Sequence, residues 1–310
     1  MDIGMRSRGG DLPLAWRCRR ALRRHPQCLF AIALLVLLLL DMYHVGFLMP
    51  HITYHHYRRR WVRQYSAWDW KHVAAARTNL PRYQVPGNLT FPIWVLSLAR
   101  STERRDHVRA ELAAAGVHDF EFVDALDGDG DLPEAEVQTY FTGERLAKFR
   151  ARTPNARYKV ACDLSHFRLM HRLLGTGLPM ALVLEDDFAV PPASRPLLPA
   201  LRARLGALPA GWDVLHLSLC DATPQAWAGP GVRLFSRGFC TLGTLYTRRA
   251  ALRALRAAEV GLRNVDNLLL DLALTGALAS YLADPPLVQP LPAARWPSEI
   301  DREPGAKDPF

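Results

Sequence analysis

Short unbroken apolar runs alternate with longer stretches of helical period from residue 92 to about residue 283, and this alternation restricts the possible folds more than any other feature. PIWVLSL (92–98), FEFVDAL (120–126), ALVLED (181–186), residues 213–218, runs around 232–246 and a last run near 279–283 read as strands. Helical patterns lie at 102–114, capped by Ser101 or Thr102, at about 133–150, at 161–174 ending near Gly175, and at 194–207, 248–258 and 265–274. Such alternation predicts an α/β domain with a largely parallel sheet. Ligands of these sheets bind beyond the carboxyl ends of the strands, which puts Glu185, Asp186 and Asp187 at the binding edge.

The 310 residues are 49% hydrophobic, enough for one sizeable domain or two small ones, and this excludes global disorder. The net charge of +9 is concentrated at one end. Residues 1–71 hold twelve Lys or Arg against four Asp or Glu, whereas the remainder holds 27 against 26. The body therefore lacks the basic excess that nucleic-acid binding needs.

Residues 28–40 are thirteen consecutive apolar residues, and apolar character resumes after Asp41 as far as Met49, before Pro50. The uninterrupted run is too short to cross a bilayer, but the whole stretch is long enough. A long Arg-rich leader and the lack of a nearby small-x-small cleavage site favour an anchor over a cleaved signal peptide. Seven arginines precede the span, and four follow it at a greater distance, so the N-terminus is expected in the cytosol. The expected layout is a cytosolic basic tail (1–27), a transmembrane signal-anchor (28–49), a stem (50–90) and a globular domain (91–310). A glycosylation sequon, Asn88-Leu89-Thr90, agrees with a lumenal stem.

Three adjacent carboxylates at the end of an apolar strand repel one another unless something holds them. Glu185, Asp186 and Asp187 suit magnesium or manganese, hard cations that bridge a diphosphate. The other reading is that two of them cap the following segment and the third is solvated. Asp127–Asp131 alternates Asp with Gly, but Leu132 and Gln138 stand where a calcium loop needs Gly and Glu, so a flexible turn is expected. Read alone, His166 is a packed or cap-bonded histidine before it is a base. Arg100, Arg104 and Arg105 follow the first strand, where an arginine can pair with phosphate. Asp266 opens an amphipathic helix, as a cap or as a general base. Of the five cysteines, Cys162, Cys220 and Cys240 follow the apolar span, so at most one intrachain pair forms there. Cys220 with Cys240 is the expected pair because both fall near predicted strand ends; the sequence alone does not fix it. No Cys/His cluster has zinc spacing.

Taken together in order, these strings resemble glycosyltransferase family 25, which includes bacterial lipopolysaccharide glycosyltransferases and procollagen galactosyltransferases. VLSLARSTER matches the family's opening pattern at Leu98 and Arg104, with Ser97 where the family has Asn. Ala125–Gly128 matches its AVDG, and YKVACDLSH matches its GEIGCxLSH at Cys162, Leu164, Ser165 and His166, with Lys159 in place of Glu. Leu182–Asp187, Trp212–Leu217, Gly243–Tyr246, Val265-Asp266, residues 285–289 and Ser298–Ile300 follow in the family's order. The resemblance covers about residues 92–300. It implies a GT-A-like, Rossmann-type nucleotide-sugar-binding domain and a UDP-sugar donor. It also implies manganese (or magnesium) held by Glu185, Asp186 and Asp187.

With that resemblance, Asp266, Asp187 and His166 are the expected catalytic residues. Ser97, Leu98, Arg104, Ser165 and Asp186 are expected to line the donor site. The expected function is metal-dependent transfer of a hexose, galactose or glucose, to a glycan or protein hydroxyl at the Golgi membrane, or at the ER membrane. The alternatives are an inactive, glycosyltransferase-like lumenal binding protein and a metal-dependent phosphohydrolase.

Overall fold

The computed structural model describes residues 80–296 apart from 88, 142, 153–154, 221–225, 236–237, 261–263 and 293–295. The tail, the anchor, most of the stem, the sequon asparagine and Ser298–Ile300 lie outside the described residues. Among the described residues no helix is long and apolar enough to cross a membrane.

The elements run β1 (Ile93–Ser97), α1 (Thr102–Ala114), β2 (Glu121–Asp124), α2 (Glu134–Tyr140), α3 (Gly143–Arg152), α4 (Ala156–Thr176), β3 (Met180–Glu185) and β4 (Phe188–Ala189). They continue with α5 (Leu197–Ala207), β5 (Val214–His216), β6 (Trp227–Gly229), β7 (Val232–Leu234), β8 (Gly243–Thr247), α6 (Arg248–Val260), α7 (Val265–Leu274), β9 (Ser280–Ala283) and β10 (Gln289–Pro290). The main sheet has the order β2-β1-β3-β8-β5-β9-β7-β6, and β4 pairs with β10 in a small separate ladder.

The sheet is mixed, which corrects the expectation of a largely parallel one. β1 lies parallel to β2 and β3, and β5 parallel to β9, but β8 runs antiparallel to both β3 and β5. β7 and β6 add an antiparallel edge. A parallel neighbour needs a crossover of a dozen or more residues, usually a helix. No helix is described between β5 and β8, so β8 enters from the carboxyl edge and runs back. The short strand β6 was also not foreseen, because WAG carries no alternation.

Apolar residues on the two faces of the sheet build two cores. Val95, Leu182, Leu184, Leu215 and Leu245 face α1 and α5, where Val108, Leu112, Leu201 and Leu205 complete the layer. Trp94, Leu96, Val183 and Val214 face α4, α6 and α7 through Leu164, Phe167, Ala254 and Leu269. The end of the expected stem joins the first core: Tyr83 N–H donates to Leu208 O (2.8 Å), and Tyr83 and Leu89 pack there. Helix α4 begins five residues earlier than its apolar period suggests and stops at Gly177, whose φ of 74° suits a residue without a Cβ.

His216, 1% exposed in β5, stacks on Phe235 with ring centroids 4.3 Å apart. Burial lowers its pKa to about 3. The folded chain keeps this ring neutral while the unfolded chain protonates it near pH 6.5, so its contribution favours unfolding as pH falls. Stability is expected to drop by about 1.4 kcal/mol per pH unit below about pH 6.5, down toward pH 3. Urea unfolding at pH 7 and pH 5 checks this: the loss should shrink in His216→Phe, and equal losses in both proteins would exclude this ring as the cause.

Candidate active site

Strand β3 is an unbroken buried run that delivers Glu185 to the carboxyl edge; the chain then bends, and Asp186 and Asp187 leave the strand. Two backbone clamps hold the bend. Glu185 N–H donates to Leu242 O (2.9 Å), and Leu291 N–H donates to Asp187 O (2.8 Å). At Gly243, a Cβ would come within 2.9 Å of Val288, so this close crossing of β8 under the bend requires glycine.

The three carboxylates point to three different neighbours. Asp186 Oδ1 accepts from Arg104 (2.8 Å), and its Oδ2 accepts from Ser97 Oγ (2.6 Å), all three residues being buried. Glu185 Oε1 lies 3.1 Å from His166 Nε2 and accepts a short hydrogen bond from Thr241 Oγ1. Burial alone would raise the Glu185 carboxyl, but His166, Thr241 and the Arg104 charge outweigh it and hold it below its ordinary value. Asp187 is left over. Its Oδ1 is buried with no hydrogen-bond partner among the described residues. Burial, then the charges of Glu185 and Asp186, raise its carboxyl from 3.8 to about 7.

A cation therefore fits at Asp187, where a buried and unsatisfied oxygen needs positive charge. Asp186 is engaged by Arg104 and Ser97, and Glu185 by His166 and Thr241, so the three do not form a single converging ligand set.

Helix α4 brings the remaining parts together. Ser165 Oγ donates to Ala161 O (2.6 Å) and accepts from Leu126 N–H (2.8 Å), which pins the loop after β2 to the helix. The same loop is tied down by Arg100, which donates to Asp127 (2.7 Å), and by Tyr158, which donates to Asp129 (2.5 Å). A Cβ at Gly128 would run into the Tyr158 ring. Asp163 Oδ1 accepts from Val265 N–H (2.8 Å) and so holds the first turn of α7, where Asp266 sits. Burial pushes the Asp163 carboxyl well up; Val265 N–H and the Lys159 charge pull the other way. A lysine one turn before Asp163 thus suits an aspartate at this position. Asp266 Oδ1 accepts from Asn267 N–H (2.6 Å), and Leu98 opens the turn after β1, where its carbonyl accepts from Ser101 N–H (3.0 Å).

Sequence reasoning missed Thr241 and Asp163. Thr241 sits in no recognisable pattern, and Asp163 occupies a variable position between two matched residues. Cys220 and Cys240 form the expected disulfide, with Cα atoms 5.6 Å apart. Cys240 takes a left-handed φ of 72° immediately before Thr241.

Fold and site together describe an α/β protein whose carboxylates gather at the carboxyl edge of a mixed sheet. Residues 90–198 match the family described as Glycosyltransferase family 25 (LPS biosynthesis protein). Over that segment, about a third of its length, the chain is similar to glycosyltransferase family 25. The segment holds Ser97, Arg104, His166 and the carboxylate triplet, whereas Thr241 and Asp266 lie beyond it. The inactive glycosyltransferase 25 family member 3 of Homo sapiens is 26% identical over 212 residues, 60% of this chain and 34% of that protein. A glycosyltransferase 25 family member of Anopheles gambiae is 28% identical over 53% of this chain and 28% of its own. The lacto-N-neotetraose biosynthesis glycosyltransferase LgtE of Neisseria meningitidis serogroup B is 33% identical over 30% of this chain and 31% of its own. The chain thus spans about a third of the length of the curated relatives it matches. Among solved structures, a glycosyltransferase involved in glycosylation of the major capsid of PBCV-1 aligns with a TM-score of 0.36 and 9% identity, over 64% of this chain and 82% of that one.

Proposed function

We propose that the domain is a GT-A-like glycosyltransferase that moves a hexose, galactose or glucose, from a UDP-sugar to a hydroxyl of a glycan or protein, with manganese or magnesium bound at the carboxylate bend. The observation that carries this is the buried, unpartnered Oδ1 of Asp187, beside Asp186, in a family 25 segment. Bound there, the ion would supply positive charge for the departing nucleoside diphosphate.

Arg104 and Ser97 hold Asp186 beside the bend, and the turn after β1, with Leu98, would face the nucleotide. Ser165 keeps the loop after β2 in place beside it. His166 holds Glu185. Asp266, in the first turn of α7 that the Asp163 cap holds, would take the proton of the acceptor hydroxyl. The anchor at 28–49 and a Golgi location, or an ER one, belong to the same proposal.

A second reading, a lumenal binding module without turnover, is favoured by the human relative whose name marks it inactive. The deciding experiment incubates the purified full chain with a panel of nucleotide sugars, with and without manganese. Manganese-dependent release of UDP from one donor is the expected result. Absence of both release and nucleotide binding would favour the module.

A further inference from the structure

Three donor atoms of unlike chemistry meet one turn along α4 and at the end of β3. The Cys162 Sγ, a His166 ring nitrogen and a Glu185 carboxylate oxygen all lie within 4.8 Å of one another. Cys162 and His166 are four residues apart on one helix and so share a face. His166 is 1% exposed, and its Nε2 lies 3.1 Å from Glu185 Oε1 and 3.2 Å from Thr241 Oγ1. Cys162 is partly exposed and the Glu185 side chain is 22% exposed, which leaves an approach from outside. The Thr241 hydroxyl contacts both the same Glu185 oxygen and His166 Nε2, and so helps orient the two ligands.

We propose that Cys162, His166 and Glu185 form a cation site of their own, selective for a borderline-soft divalent ion of the zinc class. A thiolate and an imidazole favour zinc over manganese or magnesium, which take oxygen donors. The site therefore differs in chemistry from the position at Asp187, and it stands whatever the domain transfers. Negative charge is close at hand, from Glu185, Asp163, Asp266 and Asp187, so a dication would meet compensating charge. On binding, the thiol releases its proton to solvent, and His166 presents the Nε2 lone pair with its own proton on Nδ1. The ion then takes the place of the His166–Glu185 hydrogen bond and locks the strand end from which Asp186 and Asp187 depart.

The test is titration of the chelator-stripped full chain with Co2+ alone, followed by optical absorption. One equivalent of Co2+ is expected to give a thiolate-to-cobalt charge-transfer band and the visible bands of a four-coordinate ion, both bleached by zinc. Cys162→Ser should abolish the charge-transfer band and weaken Co2+ binding about tenfold or more. Asp187→Asn should keep the band. Absence of the band in the unmodified chain, its persistence in Cys162→Ser, or its loss in Asp187→Asn would overturn the proposal. A readout that needs no variant is alkylation of Cys162 followed by mass spectrometry. One equivalent of zinc should slow it about tenfold while manganese leaves it unchanged; equal rates would likewise overturn the site.

Discussion

Asp187→Asn is expected to lower turnover by at least about 10²-fold, the effect of losing several kcal/mol of charge stabilisation at a leaving group. The substitution keeps the shape of the side chain and removes only the charge. Because the folded protein raises this carboxyl to about 7, an ionised Asp187 is a burden to the metal-free fold at alkaline pH. The sign follows from proton binding. Between about pH 4 and pH 7 the folded state holds a proton that the unfolded state has lost, so stability falls as pH rises across that window. The asparagine variant should therefore unfold at the same temperature as the parent, or a higher one, at pH 8 without metal, while losing transfer activity. Sugar-transfer assays and calorimetry on the same preparations check both parts, and retained activity in the folded variant would remove Asp187 from the metal role.

Arg104→Ala should have the largest effect on folding. Arg104 and Asp186 form an ion pair at 2.8 Å with side chains 8% and 11% exposed. Removing the arginine leaves a buried carboxylate with Ser97 as its remaining hydrogen-bond partner among the described residues, and breaking such a pair typically costs about 3–5 kcal/mol. The double variant Arg104→Met with Asp186→Leu should recover much of that stability, since a buried ion pair is often no better for the fold than apolar residues of similar size. It should not recover activity. Urea unfolding of the single and double variants separates holding the fold together from aiming Asp186.

Much of this was legible in the chain before its fold was known, for identifiable physical reasons. The apolar run ALVL ending in carboxylates reads as a strand emptying into a polar edge, and Met180–Glu185 is one. Cys220 and Cys240 flank strand ends, and they pair. What stayed hidden depends on tertiary direction. The sequence shows that Glu185, Asp186 and Asp187 are adjacent, but not that they diverge toward His166, Arg104 and an unpartnered position. Nor does it show that Arg104 faces inward to Asp186 while Arg100 and Arg105 turn to Asp127 and Asp124. The reversal of β8 was equally invisible, because GTLYT reads the same in a parallel or an antiparallel ladder. Asp163 and Thr241 act across 102 and 56 residues of separation, to Val265 and Glu185, where no local pattern reports a partner.

One turn of α4 carries an unusual share of these connections: Cys162 and His166 toward Glu185, Asp163 toward α7, and Ser165 toward the loop after β2. Each helical residue advances the direction of its side chain by about 100°. Inserting or deleting one residue upstream in the helix would turn all four away from their partners together. A point substitution here can be absorbed at one contact, but a change in length cannot. The helix works as an indexing shaft, and relatives that kept this site would be free to vary the loops on either side of α4 yet not the residue count within it.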